Sequence, residues 1–98
     1  MTLGDMMTLL KLRRGKYALV EIVIPPGAKA VGLAIKDAPF PEKCVIATIF
    51  RKGETIVPSG ATIFEVGDEV LAITDSAGRE GLEGLFGEPE SADSDGDD

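Results

Sequence analysis

The sequence predicts a small α+β domain with the order β-α-β-β-β-α, built on a mixed, mainly antiparallel sheet, plus a short N-terminal helix and a disordered acidic tail. Apolar runs rich in β-branched residues occupy residues 17–24, 45–50 and 70–74, as expected of buried strands. The turns between the later runs are too short for a crossover helix, so those strands must be antiparallel neighbours. Residues 30–38 and 77–86 instead carry apolar side chains at helical spacing.

Composition indicates one domain with an aliphatic core, because the 98 residues include no Trp and only four Phe and one Tyr. The net charge of −7 is concentrated at the C terminus: residues 88–98 contain six acids and no base, whereas residues 1–87 contain eleven acids and ten bases. No apolar run approaches the roughly 20 residues of a membrane span, and the N terminus does not resemble a signal peptide. We therefore expect a cytoplasmic protein.

Residues 1–16 are predicted to form a helical arm followed by a basic linker. Leu3, Met6, Met7 and Leu10 recur at helical spacing, and the basic stretch KLRRGK follows them. We interpret KLRRGK as a solvated, basic helix end before a turn. A nucleic-acid patch is the alternative, which the short cluster and the acidic balance of the chain disfavour.

The predicted domain proper covers residues 17–87. Its first strand, Tyr17–Ile24, ends at a Pro-Pro-Gly sequence that cannot continue a ladder. A short helix is predicted over Ala30–Ala38, and the strand-helix-strand order predicts a parallel pairing of the first two strands through a right-handed crossover. A hairpin then turns at residues 51–54, where a glycine supplies the positive φ that the turn needs, and Pro58 ends the returning strand.

The C-terminal part is predicted to be a helix and a tail. Asp75 and Ser76 are good N-caps for a helix over Ala77–Phe86, whose three glycines each cost about 1 kcal/mol relative to alanine. We expect a marginal helix that depends on packing. The boundary to a disordered tail is placed at Glu88, because residues 88–98 offer no large hydrophobic side chain. The tail is interpreted as solubilising; an electrostatic contact with KLRRGK, in the same or a neighbouring chain, is the alternative.

The sequence offers little for catalysis. It contains no histidine and no GxSxG, GxxxxGK or GxGxxG sequence. The single cysteine, Cys44, can form neither an internal disulfide nor a Cys/His zinc cluster, and is interpreted as a core residue. We therefore expect no enzyme, no catalytic residue, no metal site and no cofactor. For binding, Arg51 could pair with a phosphate beside aliphatic strand residues, although an arginine at a hairpin is more often solvated.

Several segments together resemble one known family. They are V-E-I-x-I-P-x-G at residues 20–27 with Val31-Gly32 following, R-x-G-x-x-x-x-P at residues 51–58, and G-D-E at residues 67–69. In order and spacing they resemble the TrkA C-terminal domain, the C-lobe of RCK regulatory proteins. The resemblance implies a dimerising domain on the cytoplasmic side of potassium channels, potassium uptake systems or cation/proton antiporters. Because the Rossmann fingerprint of a full RCK unit is missing, the chain is either a stand-alone C-lobe or a fragment.

Several members of this family bind a small ligand between two copies, and in a number of bacterial members the ligand is cyclic di-AMP. The resemblance implies that the ligand-binding residues here are Val45, Ile46, Ala47, Arg51, Lys52 and Pro58. We therefore expect a homodimer that binds a small ligand at its interface and acts on a membrane cation channel or transporter at the inner face of the membrane. The alternative is a ligand-free dimerising adaptor that holds transporter subunits together. No nucleic-acid partner is expected.

Overall fold

In the computed structural model, which describes residues 3–88, a five-stranded antiparallel sheet carries one α-helix on one of its faces. The elements are β1 (Met7–Leu12), β2 (Tyr17–Val23), β3 (Cys44–Arg51), β4 (Glu54–Ile56), β5 (Glu69–Asp75) and α1 (Ser76–Phe86), with 3-10 turns at Arg13–Gly15 and Ile35–Asp37. The strand order is β1-β2-β5-β3-β4. The predicted α+β class is confirmed, whereas the predicted acidic tail, residues 88–98, lies outside the described part except for Glu88. No helix within residues 3–88 has the length and apolar character needed to cross a bilayer.

The hairpin at the centre of the sequence forms as predicted. β3 pairs antiparallel with β4 on one side and with β5 on the other. Arg51 faces Glu54 across the turn, and the two residues between them both have positive φ, 52° at Lys52 and 80° at Gly53. Such a two-residue turn has the twist of the flanking strands, which explains why a glycine is placed there.

The predicted N-terminal helix is wrong, because this segment is a strand. β1 pairs antiparallel with β2, from Met7 opposite Glu21 to Leu12 opposite Tyr17. A helix of three turns is marginal by itself, whereas the exposed edge of β2 offers a full set of backbone partners. Pairing with that edge therefore outweighs the helical spacing of the apolar residues.

The predicted helix over Ala30–Ala38 is also wrong; only Ile35–Asp37 forms a single 3-10 turn. The backbone of this segment makes its hydrogen bonds to distant elements: the amide of Ala30 donates to the carbonyl of Leu85 (3.0 Å), and that of Gly32 donates to the carbonyl of Phe64 (3.0 Å). Gly32 has a φ of 86°, which interrupts a right-handed helix. Residues 24–43, called here the strap, therefore connect β2 to β3 as a largely irregular segment.

The prediction of a mixed sheet is also wrong, because all strand pairs among residues 3–88 are antiparallel. β2 and β3 were expected to pair in parallel, but β5 lies between them and is antiparallel to both. β2 and β3 therefore run in the same direction without touching. The connection must still run back along the sheet from the end of β2 to the start of β3, and residues 24–43 are long enough to span that distance without an α-helix.

The hydrophobic core lies between one face of the sheet and α1. Its buried residues include Val20 and Ile22 from β2, Ile49 from β3, Val70 and Ala72 from β5, Phe64, and Leu82, Leu85 and Phe86 from α1. Three rings cluster within it: the centroid of Phe86 lies 5.0 Å from that of Phe64 and 5.9 Å from that of Phe40. Edge-to-face contact of this kind adds to the energy of area burial.

α1 begins as predicted, with Asp75 as its N-cap. The Asp75 Oδ1 accepts a hydrogen bond from the amide of Gly78 (2.8 Å). The glycines of α1 are not equivalent: a methyl group at Gly78 would overlap the Thr74 hydroxyl, whereas one at Gly84 would meet nothing within 4 Å. Gly78 therefore lets the helix approach the sheet closely.

Two alanine substitutions should consequently have opposite effects on stability. Gly84→Ala is expected to raise the free energy of unfolding by about 0.5–1 kcal/mol, because it gains helix propensity in open space. Gly78→Ala is expected to lower it, because the new methyl group must displace the buried Thr74 side chain. Chemical denaturation of both variants checks this, and equal shifts of the same sign would contradict the assigned packing.

Candidate functional site

The sheet has an open edge along the first half of β3. β4 pairs only with Ile49, Phe50 and Arg51. Among residues 3–88, no strand pairs with the backbone from Cys44 to Ala47 on that side, although Cys44 to Ile46 pair with β5 on the other. An unpaired edge of this kind can accept hydrogen bonds from a ligand or another chain.

A groove, called here the edge groove, lies against this open edge and has a volume of about 290 Å³. It is lined by Ile35, Phe40, Cys44, Ile46, Pro58, Ser59 and Gly60. Its walls are the strap, the start of β3 and the loop that follows β4. The lining is mainly apolar with a serine hydroxyl at the rim, a composition typical of sites for flat organic groups.

The structure brings only two of the six predicted ligand-binding residues into the edge groove, Ile46 and Pro58. Val45 is 62% exposed and lies on the opposite face of the sheet, in register with Ile73. Ala47 is exposed at a bulge in β3, where the register with β5 shifts. Lys52 is exposed in the hairpin turn. The roles of these residues in ligand binding remain predictions.

Arg51 has structural contacts that its sequence position does not reveal. Its guanidinium donates from Nε to Asp68 Oδ1 and from Nη2 to Asp68 Oδ2, both at 2.9 Å. Nη2 also donates to the carbonyl of Ile63 (2.8 Å), and Nη1 lies 3.2 Å from Glu65 Oε2. The hydrogen bond to Asp68 raises the pKa of Arg51 above its usual range, and the negative charges of Asp68 and Glu65 add to this against the opposing effect of burial.

Asp68 is the buried half of this pair, with only 1% of its surface exposed. Its Oδ2 accepts a further hydrogen bond from the amide of Glu65 (2.9 Å). The carboxylate therefore holds the turn at residues 65–68 against the end of β3. Two parallel hydrogen bonds between a guanidinium and a carboxylate fix the position and the orientation of both side chains. The position of Asp68 in the G-D-E segment does not by itself reveal this role.

Cys44 lies at the floor of the edge groove. Burial, and to a lesser extent the negative charge of Asp75, raise the pKa of its thiol to about 11. The thiolate is thus scarce at neutral pH, which agrees with the interpretation of Cys44 as an unreactive residue. Within residues 3–88, no three His, Cys, Asp or Glu side chains are grouped to hold a metal ion.

The raised pKa of the Cys44 thiol predicts that this side chain is alkylated slowly. Iodoacetamide should modify Cys44 in the folded protein about 10–100 times more slowly than free cysteine at neutral pH, since the smaller thiolate fraction outweighs the gain in nucleophilicity. Because the thiolate forms only as pH approaches 11, the rate should keep rising with pH beyond the range in which free cysteine levels off. Mass spectrometry of timed samples gives both rates, with the guanidinium-unfolded chain as control. A folded rate equal to the unfolded one would contradict the assignment.

Sequence reasoning missed Ile35, Phe40, Cys44, Ser59 and Gly60 as groove residues. They come from the strap, the start of β3 and the loop after β4, which the fold brings together although they are separate along the chain. One signal was available: Phe40 stands between two prolines, which places a large ring on a segment with little freedom.

Comparison with known proteins supports what the motifs indicate. The chain matches the TrkA-C domain over residues 19–87, more than two thirds of its length. It belongs to the TrkA-C domain family. The predicted family is therefore confirmed, and the Arg51–Asp68 pair joins two of the segments that carry the resemblance, R-x-G-x-x-x-x-P and G-D-E.

Relatives of this TrkA-C domain include much longer proteins. It is 39% identical over 75 residues to the Trk system potassium uptake protein TrkA homolog of Archaeoglobus fulgidus, covering 76% of this chain and 17% of that protein. It is 32% identical over 85 residues to the Trk system potassium uptake protein TrkA of Mycobacterium tuberculosis, covering 87% of this chain and 39% of that protein. The chain thus spans well under half the length of these relatives.

The fold is also similar to that of a solved structure described as an RCK domain with cda. The TM-score is 0.60 and the identity 25%, and the similar region covers 69% of this chain and 96% of that chain. The sheet and helix arrangement of this TrkA-C domain is therefore that of an RCK domain.

Proposed function

We propose that this chain is a cytoplasmic regulatory domain that controls a potassium uptake system, or a related cation channel or antiporter, by binding a small ligand between two copies of itself. Cyclic di-AMP is the ligand we propose first. The names of the relatives support the potassium-uptake context, and the similar RCK domain was solved with cda. The observation that carries the proposal is the edge groove, which places Ile46 and Pro58 beside an unpaired strand edge.

The size of the groove favours a site completed by a second copy. Its volume of about 290 Å³ lies at the lower end of the roughly 300–1,000 Å³ that is typical of sites for drug-sized ligands. One groove can hold a single ring, whereas a cyclic dinucleotide has two bases. Two grooves related by a two-fold axis would each receive one base, as an isologous interface requires.

An apolar row on the outer face of the sheet supports self-association. Leu10, Leu19, Ile73 and Val45 lie directly opposite one another across β1, β2, β5 and β3. α1 covers the other face, and no element within residues 3–88 covers this row; Leu10 is 55% exposed and Val45 62% exposed. Exposed apolar patches of this kind mark protein interfaces.

The ligand proposal is tested by calorimetry with cyclic di-AMP on the whole chain and two variants. Ser59→Glu places a carboxylate in the lining of the edge groove, where it would repel the ligand phosphates, and binding should weaken at least about tenfold, or 1.4 kcal/mol. Val66→Glu adds the same charge at an exposed position that does not line the groove, and should leave the affinity unchanged. Absence of binding to the wild-type chain, or equal losses in both variants, would refute the proposed site.

One observation favours the alternative function, a dimerising adaptor without a small ligand. Hydrogen bonds to Asp68 and to the Ile63 carbonyl occupy three of the five guanidinium N–H donors of Arg51, and Glu65 Oε2 lies 3.2 Å from Nη1. Little capacity is left for a phosphate, although Lys52 is exposed nearby. A chain that sediments as a dimer but gives no heat with cyclic di-AMP would support the adaptor.

A further inference from the structure

A second cavity, called here the basic pocket, shares no lining residue with the edge groove and plays no part in the function proposed above. It has a volume of about 130 Å³ and lies between β1, the Arg13–Gly15 turn and the start of α1. Its polar lining includes Thr8, Lys11, Lys16, Asp75, Ser76 and Arg79.

The basic pocket has an excess of positive charge. Lys11, Lys16 and Arg79 face one carboxylate, that of Asp75, which already accepts the capping hydrogen bond of α1. Arg13 and Arg14 are exposed in the adjoining turn. The Arg79 guanidinium is held in place by a hydrogen bond from its Nη1 to the Thr8 hydroxyl (2.6 Å), which uses one of its five donors. These groups together offer N–H donors to an anion.

The same chain supplies a complementary segment. Residues 89–98, PESADSDGDD, contain five of the six acids of the C-terminal stretch and no base. The last described residue, Glu88, lies beside Gly4 at the far end of α1 from the pocket. At 1.5 Å per residue, α1 and its C-cap place Glu88 about 18 Å from Ser76.

The ten residues 89–98 are long enough to reach from Glu88 back to the basic pocket. A flexible chain of this length has a root-mean-square span of about 16–19 Å and a maximum of about 33 Å. Tethering gives the tail an effective concentration in the millimolar range at a site within reach. The folded part is nearly neutral, with eleven acids and ten bases in residues 1–87, so the attraction would arise from the local cluster and not from overall charge.

We propose that the basic pocket is a binding site for an acidic peptide and that its occupant is the chain's own C-terminal tail, residues 89–98. The tail carboxylates accept hydrogen bonds from Arg79, Lys11 and Lys16, and an arginine can bind one of them with two parallel bonds. Each exposed ion pair is weak, so the contact depends on several pairs together and is lost at high salt. This contact also shields the basic cluster from other polyanions.

Paramagnetic relaxation enhancement on the full-length chain tests the proposal. A spin label is placed in the tail at Ser94→Cys, in a Cys44→Ala background, and amide signals are recorded with isotope-labelled protein. Lys11, Lys16 and Arg79 should lose at least about twice as much signal at low salt as at about 0.5 M salt, where the Debye length is only a few ångströms. Lys11→Gln/Lys16→Gln should remove most of this loss. Lys36→Gln/Lys52→Gln, the same charge change at two exposed lysines outside the pocket, should leave it intact.

Three outcomes would overturn the proposal. One is a signal loss that is independent of salt and of the pocket lysines. Another is a loss that appears only when spin-labelled and isotope-labelled chains are mixed, because the tail would then occupy a neighbour's pocket. The third uses inorganic phosphate as a probe: if it shifts the Lys11 and Lys16 signals equally in the wild-type chain and in the neutral-tail variant E90Q/D93N/D95N/D97N/D98N, the tail does not occupy the pocket.

Discussion

Asp68→Asn is expected to lower the free energy of unfolding by about 3–5 kcal/mol, the usual cost of breaking a buried ion pair by removing one charge. The Asp68 side chain is 1% exposed and accepts hydrogen bonds from Arg51 Nε, Arg51 Nη2 and the amide of Glu65. An amide has only one acceptor oxygen, so one of the facing donors would be left beside an NH₂ group. Urea denaturation followed by circular dichroism measures the change.

Asp37→Asn is the matched control, because Asp37 is exposed in the strap. The same change of charge at that position should alter stability by no more than about 0.5 kcal/mol. If both variants lose the same small amount, the Arg51–Asp68 pair does not fix the turn at residues 65–68 as the contacts indicate.

Phe86→Ala should destabilise the domain by a similar amount, about 3–5 kcal/mol. Phe86 is fully buried, and its ring packs against Phe64 and Phe40 at centroid distances of 5.0 and 5.9 Å. Removing it opens a cavity between α1 and the strap. For a domain whose total stability is of the order of 5–15 kcal/mol, such a loss is a large fraction.

Phe50→Ala provides the comparison, since Phe50 is only half-buried and lies on the outer face of the sheet, opposite Glu69 and Thr55. In the monomer, Phe50→Ala should lower the free energy of unfolding clearly less than Phe86→Ala does. Thermal unfolding of both variants separates the two positions, and a cost for Phe50 equal to that for Phe86 would place the core on the wrong face of the sheet.

The strands that could be predicted are those whose apolar runs are long and β-branched, as in β2, β3 and β5. β1 was missed because the spacing of its apolar residues fits a helix as well as an edge strand. The segment forms a strand only because β2 lies beside it and offers backbone hydrogen-bond partners. The strap was missed for a related reason: the amides of Ala30 and Gly32 bond to Leu85 and Phe64, which lie more than thirty residues away. No local sequence pattern indicates hydrogen-bond partners that lie so far away along the chain.

The residues of the candidate site could likewise be predicted only in part. Resemblance to the family identified Ile46 and Pro58, which the structure brings to the edge groove. The strap residues that close the groove could not be predicted, because the strap itself was predicted as a helix. The contacts of Arg51 with Asp68 could not be predicted either, since its position at a hairpin is compatible with solvent, a ligand or a buried partner.

The central claim is that a ligand binds between two copies of the chain, and its most direct test is a stoichiometry. Calorimetric titration with cyclic di-AMP, combined with sedimentation of the same sample, gives ligand bound per chain and the mass of the species that binds it. We expect one cyclic di-AMP per two chains and a particle of twice the chain mass. One ligand per chain on a monomer, or no binding at all, would contradict it.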